Sequence, residues 1–191
     1  MQQPALNYIT EEEYLAMERE SEIRHEYYDG EIFAMAGASR KHNLITANVI
    51  RELGNQLRNT GCRVYPSDMR VKIEATGLYT YPDVLIVCGE EIFADEKEDM
   101  LLNPAIIIEV LSDSTESYDR GRKFENYRML NSLKEYILIS QNRKKMERFF
   151  RNERGYWELD ESDEENPQLH LQAAGCELRI ADVYENVWEK P

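Results

Sequence analysis

Two carboxylates interrupt the most apolar stretches of this sequence. Asp83 stands near the head of Pro82-Asp83-Val84-Leu85-Ile86-Val87-Cys88, and Glu109 sits inside Ala105-Ile106-Ile107-Ile108-Glu109-Val110-Leu111. Continuous aliphatic runs without polar alternation predict strands covered on both faces. A carboxylate carried into such a place without a partner is costly, or it stays protonated. Two of them on neighbouring strands predict a shared cation. Hard oxygen donors of this kind suit Mg2+ or Mn2+.

The 191 residues suffice for one domain, taken as 1–191, with a substantial core. A hydrophobic fraction of 42% with 12 Tyr is that of an ordinary globular chain. No apolar run approaches the roughly 20 residues of a membrane span, so no membrane partner is expected. Met1-Gln2-Gln3-Pro4 shows neither the basic region nor the apolar core of a signal peptide, and the expected compartment is the cytoplasm. Cys62, Cys88 and Cys176 are odd in number and form no C-x-x-C pair, so neither a zinc ribbon nor a thioredoxin-like site is indicated. Cys88 reads as a small core residue. The net charge of −14 counts against indiscriminate nucleic-acid binding. The charge is uneven, however. Arg143 to Arg154 holds six bases against two acids, and Glu158 to Glu165 holds six acids and no base. A solvated hairpin with an acidic loop explains this pattern better than a DNA footprint.

Thr10-Glu11-Glu12-Glu13 fits a capping box and predicts a helix to about Glu20. Arg24 to Ala36 reads as a hairpin turning at Asp29-Gly30. Ser39 is the expected N-cap of the longest helix, with Leu44, Ala47, Ile50, Leu53 and Leu57 at helical spacing and Gly61 as its stop. Strands are expected at Cys62 to Tyr65, Met69 to Ile73, Tyr81 to Cys88 and Ala105 to Leu111. A helix follows from about Ser117 to Leu130, then a strand from Glu135 to Ser140. A hairpin pairs Met146 to Phe150 with Tyr156 to Leu159, and a loose segment spans Asp160 to Pro167. Leu169 to Leu171 and Leu178 to Ile180 are further apolar runs, and Ile180 to Trp188 closes the chain. The order describes an α/β or α+β arrangement, a central mixed β-sheet flanked by helices.

On the helix after Glu109, residues Arg120, Lys123, Phe124, Tyr127 and Leu130 lie close to one face. Lys123 is therefore able to reach over the strand ends toward the two acids. Glu26 and Glu31 flank the first hairpin turn and could add a metal ligand. His42, near the start of the long helix, could touch a phosphate or simply pack. Structural roles stand beside these. Asp83 could cap nearby amides at a strand start, and Glu109 could form an ion pair with Lys123 or Arg120.

The segments His25-Glu26-Tyr27-Tyr28-Asp29-Gly30-Glu31, His42, Pro82-Asp83, Glu109 to Thr115, Asp119-Arg120, Lys123, Tyr127 and Glu135-Tyr136 together resemble the Uma-type family of restriction-endonuclease-like proteins, within the PD-(D/E)XK nuclease superfamily. The resemblance runs from about Thr10 to Val187, and Glu109 to Lys123 is its most specific part. It implies a restriction-endonuclease-like fold with the acidic pair at its heart, Mg2+ held by Asp83 and Glu109, and a lysine beside the attacking water. The lysine expected two residues after the glutamate is replaced by Leu111, and Lys123 on the following helix is the candidate in its place. The backbone carbonyl of Val110 could complete the metal shell.

The expected activity is metal-dependent hydrolysis of DNA phosphodiester bonds. A homodimer would suit a two-fold duplex. The rival is a nuclease fold kept as a non-catalytic binding or regulatory module in a protein complex, which the acidic total favours. A hydrolase for small phosphorylated molecules fits the charge but lacks a phosphate-cradling glycine loop.

Overall fold

The computed structural model describes residues 8–188. Helix α1 (Glu11–Glu18) opens on the expected capping box. The Thr10 amide donates to Glu13 Oε2 at 2.9 Å, and the Glu13 amide returns a bond to Thr10 Oγ1 at 3.2 Å. Strands β1 (His25–Tyr28) and β2 (Glu31–Ala34) form the hairpin, with Asp29 and Gly30 both at positive φ, as a tight two-residue turn requires. Ser39 caps α2 (Arg40–Gln56) through His42 N at 3.1 Å. The buried stripe of α2 is Ile45, Val49 and Leu53, displaced from the expected Leu44, Ala47 and Ile50. Asn48, on the same face, donates to the carbonyls of Val183 and Glu185. The helix ends at Gln56, five residues before Gly61, which at φ 81° precedes the next strand rather than closing the helix.

Strands β3 (Cys62–Pro66), β4 (Arg70–Ile73), β5 (Leu78–Thr80), β6 (Val84–Cys88), β7 (Met100–Leu101) and β8 (Ile106–Leu111) follow. The helix expected over 117–130 is three pieces: α3 (Glu116–Tyr118), a π-helical turn (Asp119–Lys123) and α4 (Phe124–Tyr127). Then come β9 (Glu135–Ser140), the hairpin β10 (Met146–Arg151) and β11 (Trp157–Ser162), the hairpin β12 (Gln168–Leu171) and β13 (Cys176–Arg179), and α5 (Ile180–Val183).

The central sheet has the order β11-β10-β9-β8-β6-β3 and is mixed, because β8 and β9 run parallel while its other pairs are antiparallel. A second sheet, β2-β1-β5-β4-β7, was not expected. Two of its strands, β5 and β7, have three and two residues, too short to leave a periodic signal. Side-chain alternation divides β8 between two cores. Ile106, Ile108 and Val110 pack with α2, the β12–β13 hairpin and α5. Ile107 and Leu111 pack with Phe124, Tyr127, Tyr136 and strands of the second sheet. Glu109 shares the parity of this second face, between Ile107 and Leu111.

Two smaller findings correct the sequence reading. Cys62 and Cys88 lie directly opposite each other in the β3–β6 register and are joined by a disulfide. A separation of 26 residues hides a pairing that only the strand register reveals. Strand β11 also extends to Ser162, into the segment expected to be loose. Acids of this strand and of the turn after it answer the basic run: Lys145 Nζ lies 2.5 Å from Glu161, and Lys144 Nζ lies 3.0 Å from Glu164. Among the described residues, no helix is long and apolar enough to cross a membrane.

Candidate functional site

Strands β6 and β8 pair antiparallel with Val84 opposite Ile108. One step outward, the register sets Asp83 against Glu109, and the side chains interlock there. Asp83 N donates to Glu109 Oε2 at 3.2 Å, and Val110 N donates to Asp83 Oδ2 at 2.8 Å. Each acid thus also caps an amide of the other strand's end, so the structural alternative for Asp83 and its metal-binding candidacy coexist in one geometry. Val110, whose carbonyl was the third candidate ligand, follows Glu109 directly in the chain.

Lys123 closes the π-helical turn and points at Glu109. Its Nζ lies 2.9 Å from Glu109 Oε1, 3.2 Å from Glu26 Oε1 and 3.7 Å from Asp119 Oδ1. The inserted residue of a π-turn re-aims side chains that a regular helix would place elsewhere, and such turns recur at functional sites. The Tyr127 hydroxyl donates to Glu109 Oε1 at 2.9 Å. The Tyr136 hydroxyl fastens the turn by donating to the Asp119 carbonyl at 3.0 Å.

His42 approaches from the first turn of α2, with Nε2 3.1 Å from Asp83 Oδ2. Its helix end is held by Ser39, whose hydroxyl donates to Gln141 Oε1 at 2.6 Å. The structure therefore brings together Asp83, Glu109, Lys123, Glu26 and His42. Glu31 is left out. It sits exposed on β2, opposite Tyr28. Glu26 is buried on the inner strand β1, whereas Glu31 stands on the edge strand β2.

Three participants were given no role from the sequence. Asp119 and Tyr127 were read only as residues of the motif and its helix, and they lie four residues before and after Lys123, a spacing that places all three near one helical face. Thr80, whose hydroxyl donates to Glu26 Oε1, belongs to the short strand β5 and left no signal.

The electrostatics follow from burial. Glu109 is 3% exposed, Asp119 3% and Lys123 6%, whereas Asp83 and His42 keep some access to solvent. Burial pushes the Glu109 carboxyl up to about 8, against the pull of Lys123. Burial likewise raises Asp119. For Lys123, burial works to lower the pKa but Glu109, Tyr127, Glu26 and Asp119 outweigh it, and the amine is held well above its ordinary value. His42 is raised in the same way, with burial opposing and Asp83 prevailing. Four carboxylates face one ammonium and one imidazole, so the cluster carries an excess of negative charge that protonation or an added cation would relieve.

Among the described residues, no group of three or more His, Cys, Asp or Glu is arranged to hold a metal ion. The donor set does fit Mg2+, which is commonly held by one or two carboxylates with water completing its shell. The bonds and ion pair that reach Asp83 fall on Oδ2.

Comparison with known proteins agrees with this architecture. A family profile described as "Uma2: Putative restriction endonuclease" matches residues 11–181. Two uncharacterized proteins of Synechocystis are similar to the chain. One is 33% identical over 180 residues, 94% of this chain and 93% of the relative. The other is 35% identical over 163 residues, 85% of this chain and 92% of the relative. A crystal structure from Anabaena variabilis, of "a putative nuclease belonging to DUF820", aligns at a TM-score of 0.77 with 18% identity, covering 94% of this chain and 99% of that one. That likeness establishes a common fold. With the profile spanning almost the whole sequence and the acidic pair at the junction of β6 and β8, the chain belongs to the Uma2 family.

Proposed function

We propose that this protein is a metal-dependent endonuclease that hydrolyses DNA phosphodiester bonds. The observation that carries the reading is the meeting of Asp83 and Glu109 across the β6–β8 pair, with the Lys123 ammonium 2.9 Å from Glu109. Asp83, Glu109 and the Val110 carbonyl are the residues that would hold Mg2+ or Mn2+. Bound there, the cation supplies Lewis acidity at the scissile phosphate and lowers the pKa of the attacking water.

The protein's own groups supply the rest. Lys123 presents a compact positive charge to the water oxygen or to the phosphate, and its burial keeps that charge unscreened. The Tyr127 hydroxyl holds the orientation of Glu109 by donating to Oε1. Asp83 and His42, the more accessible members, mark the side from which a phosphodiester enters. A cytoplasmic protein acting on duplex DNA, as a symmetric dimer, completes the reading.

A second reading is a nuclease fold that binds without turnover, within a protein complex. It is favoured by the net charge of −14 and by the way Glu161 and Glu164 neutralise the basic run of the β10–β11 hairpin. A plasmid-nicking assay with Mg2+ or Mn2+ separates the two. Nicking by the wild type that disappears in Asp83→Asn and in Glu109→Gln supports the nuclease. Wild-type protein that binds the cation without cutting supports the binding module.

A further inference from the structure

Lys123 is held from two sheets at once. Glu109 approaches it from the central sheet, and Glu26 approaches from β1 of the second sheet. The two acids differ in their other commitments. Glu109 also accepts from the Asp83 amide and the Tyr127 hydroxyl, and so belongs to the acidic pair. Glu26 bonds to Lys123 and to the hydroxyl of Thr80, which is completely buried, and both contacts fall on Oε1. No described contact joins Glu26 to Asp83. Among the described residues, no three acids converge on a point that would hold a cation, and the described contacts of Glu26 run to Lys123 and Thr80.

An ammonium on a flexible four-carbon stem has three donors and no preferred direction. One carboxylate beside it sets a distance and leaves its direction free. A second one, rooted in another sheet and locked by its own hydroxyl donor, fixes the nitrogen between two points. Asp119, at 3.7 Å, is too far for a hydrogen bond and adds charge without direction. We propose that Glu26, oriented by Thr80, is a positioning residue that anchors the Lys123 ammonium beside Glu109, and that it does not ligate the metal. The second sheet then has a purpose in the chemistry. It delivers an anchor that the central sheet lacks.

This inference rests on the nuclease reading for its kinetic consequence and on geometry alone for its structural one, so two readouts separate them. The first is the ammonium signal of Lys123 in proton–nitrogen NMR, assigned by its disappearance in Lys123→Arg. A buried, doubly anchored ammonium exchanges slowly and gives a resolved peak. Glu26→Gln should broaden or remove it, and Glu26→Asp should restore it in part. The second is DNA cleavage. In Glu26→Gln, kcat should fall about 10–100-fold, with KM and calorimetric Mg2+ affinity unchanged. Should Glu26→Gln fail to fold, Thr80→Val, which exchanges the donor hydroxyl for a methyl group, is read in the same way. An unaltered ammonium signal in a folded Glu26→Gln overturns the proposal. So does a loss of Mg2+ affinity as large as that of Glu109→Gln, because Glu26 would then be a ligand. If the wild type never cuts DNA, the nuclease reading fails while the NMR signal still decides whether Glu26 anchors the amine.

Discussion

Replacing Lys123 with methionine removes the one ammonium from a buried set of acids while keeping most of the side-chain volume. The side chains of Lys123, Glu109 and Asp119 are 7%, 5% and 5% exposed, so water does not substitute for the lost charge. Breaking a buried ion pair from one side costs about 3–5 kcal/mol, because the remaining charge is left uncompensated. Glu26 and Asp119 add to that repulsion, and the expected loss at basic pH is about 4 kcal/mol. At acid pH the outcome differs. Burial already raises Glu109 to about 8, and without Lys123 it rises further. A carboxyl whose folded pKa lies above its unfolded value favours folding while it is protonated. That contribution is complete below the unfolded value of 4.5 and is lost as pH rises through the folded value. The variant should therefore be nearly as stable as the wild type at pH 5 and be destabilised by about 4 kcal/mol at pH 8, roughly 8–16 °C in Tm for a chain of this size. Urea unfolding of both proteins at the two pH values measures the difference. An equal loss at pH 5 and pH 8 would refute the electrostatic account and leave only a packing defect. A loss below about 1 kcal/mol at pH 8 would show that the acids do not depend on Lys123.

Four further outcomes follow from the structure. A cation must displace the proton from Glu109, so apparent Mg2+ affinity, read by calorimetry, should rise from pH 6 to pH 8 and then level off. Pretreating the protein with a chelator should remove any stabilisation by residual metal, and adding Mg2+ at 100 times its Kd should return about 2.7 kcal/mol. Tyr127→Phe removes the 2.9 Å bond to Glu109 and leaves a buried acceptor short of one donor, so urea unfolding should register a loss of about 1–3 kcal/mol. Reduction of the Cys62–Cys88 bridge reopens a loop of 26 residues and should lower stability by about 3 kcal/mol. The double variant Cys62→Ser/Cys88→Ser should match the reduced protein and be insensitive to dithiothreitol.

The acidic pair was legible because it broke a pattern. Asp83 and Glu109 stand out against runs of Val and Ile, and strands that rich in apolar residues have few places to go other than the middle of a covered sheet. Lys123 was legible from helical spacing, although the π-turn that aims it was not. That turn interrupts the 3.6-residue period for only five residues. The second sheet was invisible for a different reason. Strands of two and three residues carry no periodicity, and their existence depends on what packs beside them. Thr80 was lost with β5, and with it the reason Glu26 turns inward. Glu26 and Glu31 looked equivalent around the hairpin turn, and only the second sheet's packing against the π-turn distinguishes them. The disulfide belonged to the same class of information. Sequence separation says nothing of register, and register alone sets Cys62 against Cys88.

The basic run illustrates the opposite case. Arg143 to Arg154 and the acidic stretch after it read as a solvated hairpin with an acidic loop, ahead of a nucleic-acid footprint. Strand pairing brings the two stretches side by side, with Glu147 opposite Glu161 and Arg148 opposite Asp160. Lys145 bridges to both glutamates, at 3.5 Å and 2.5 Å. Composition alone could describe both segments, but only their antiparallel register says that they cancel.

Whether a divalent ion lodges between Asp83 and Glu109 is decided most directly by anomalous diffraction from crystals soaked in Mn2+. A peak within coordination distance of the Asp83 and Glu109 carboxylates, absent from Asp83→Asn crystals soaked alike, is the expected result. Crystals that diffract well, accept Mn2+ elsewhere and show no peak between these two side chains would contradict the account.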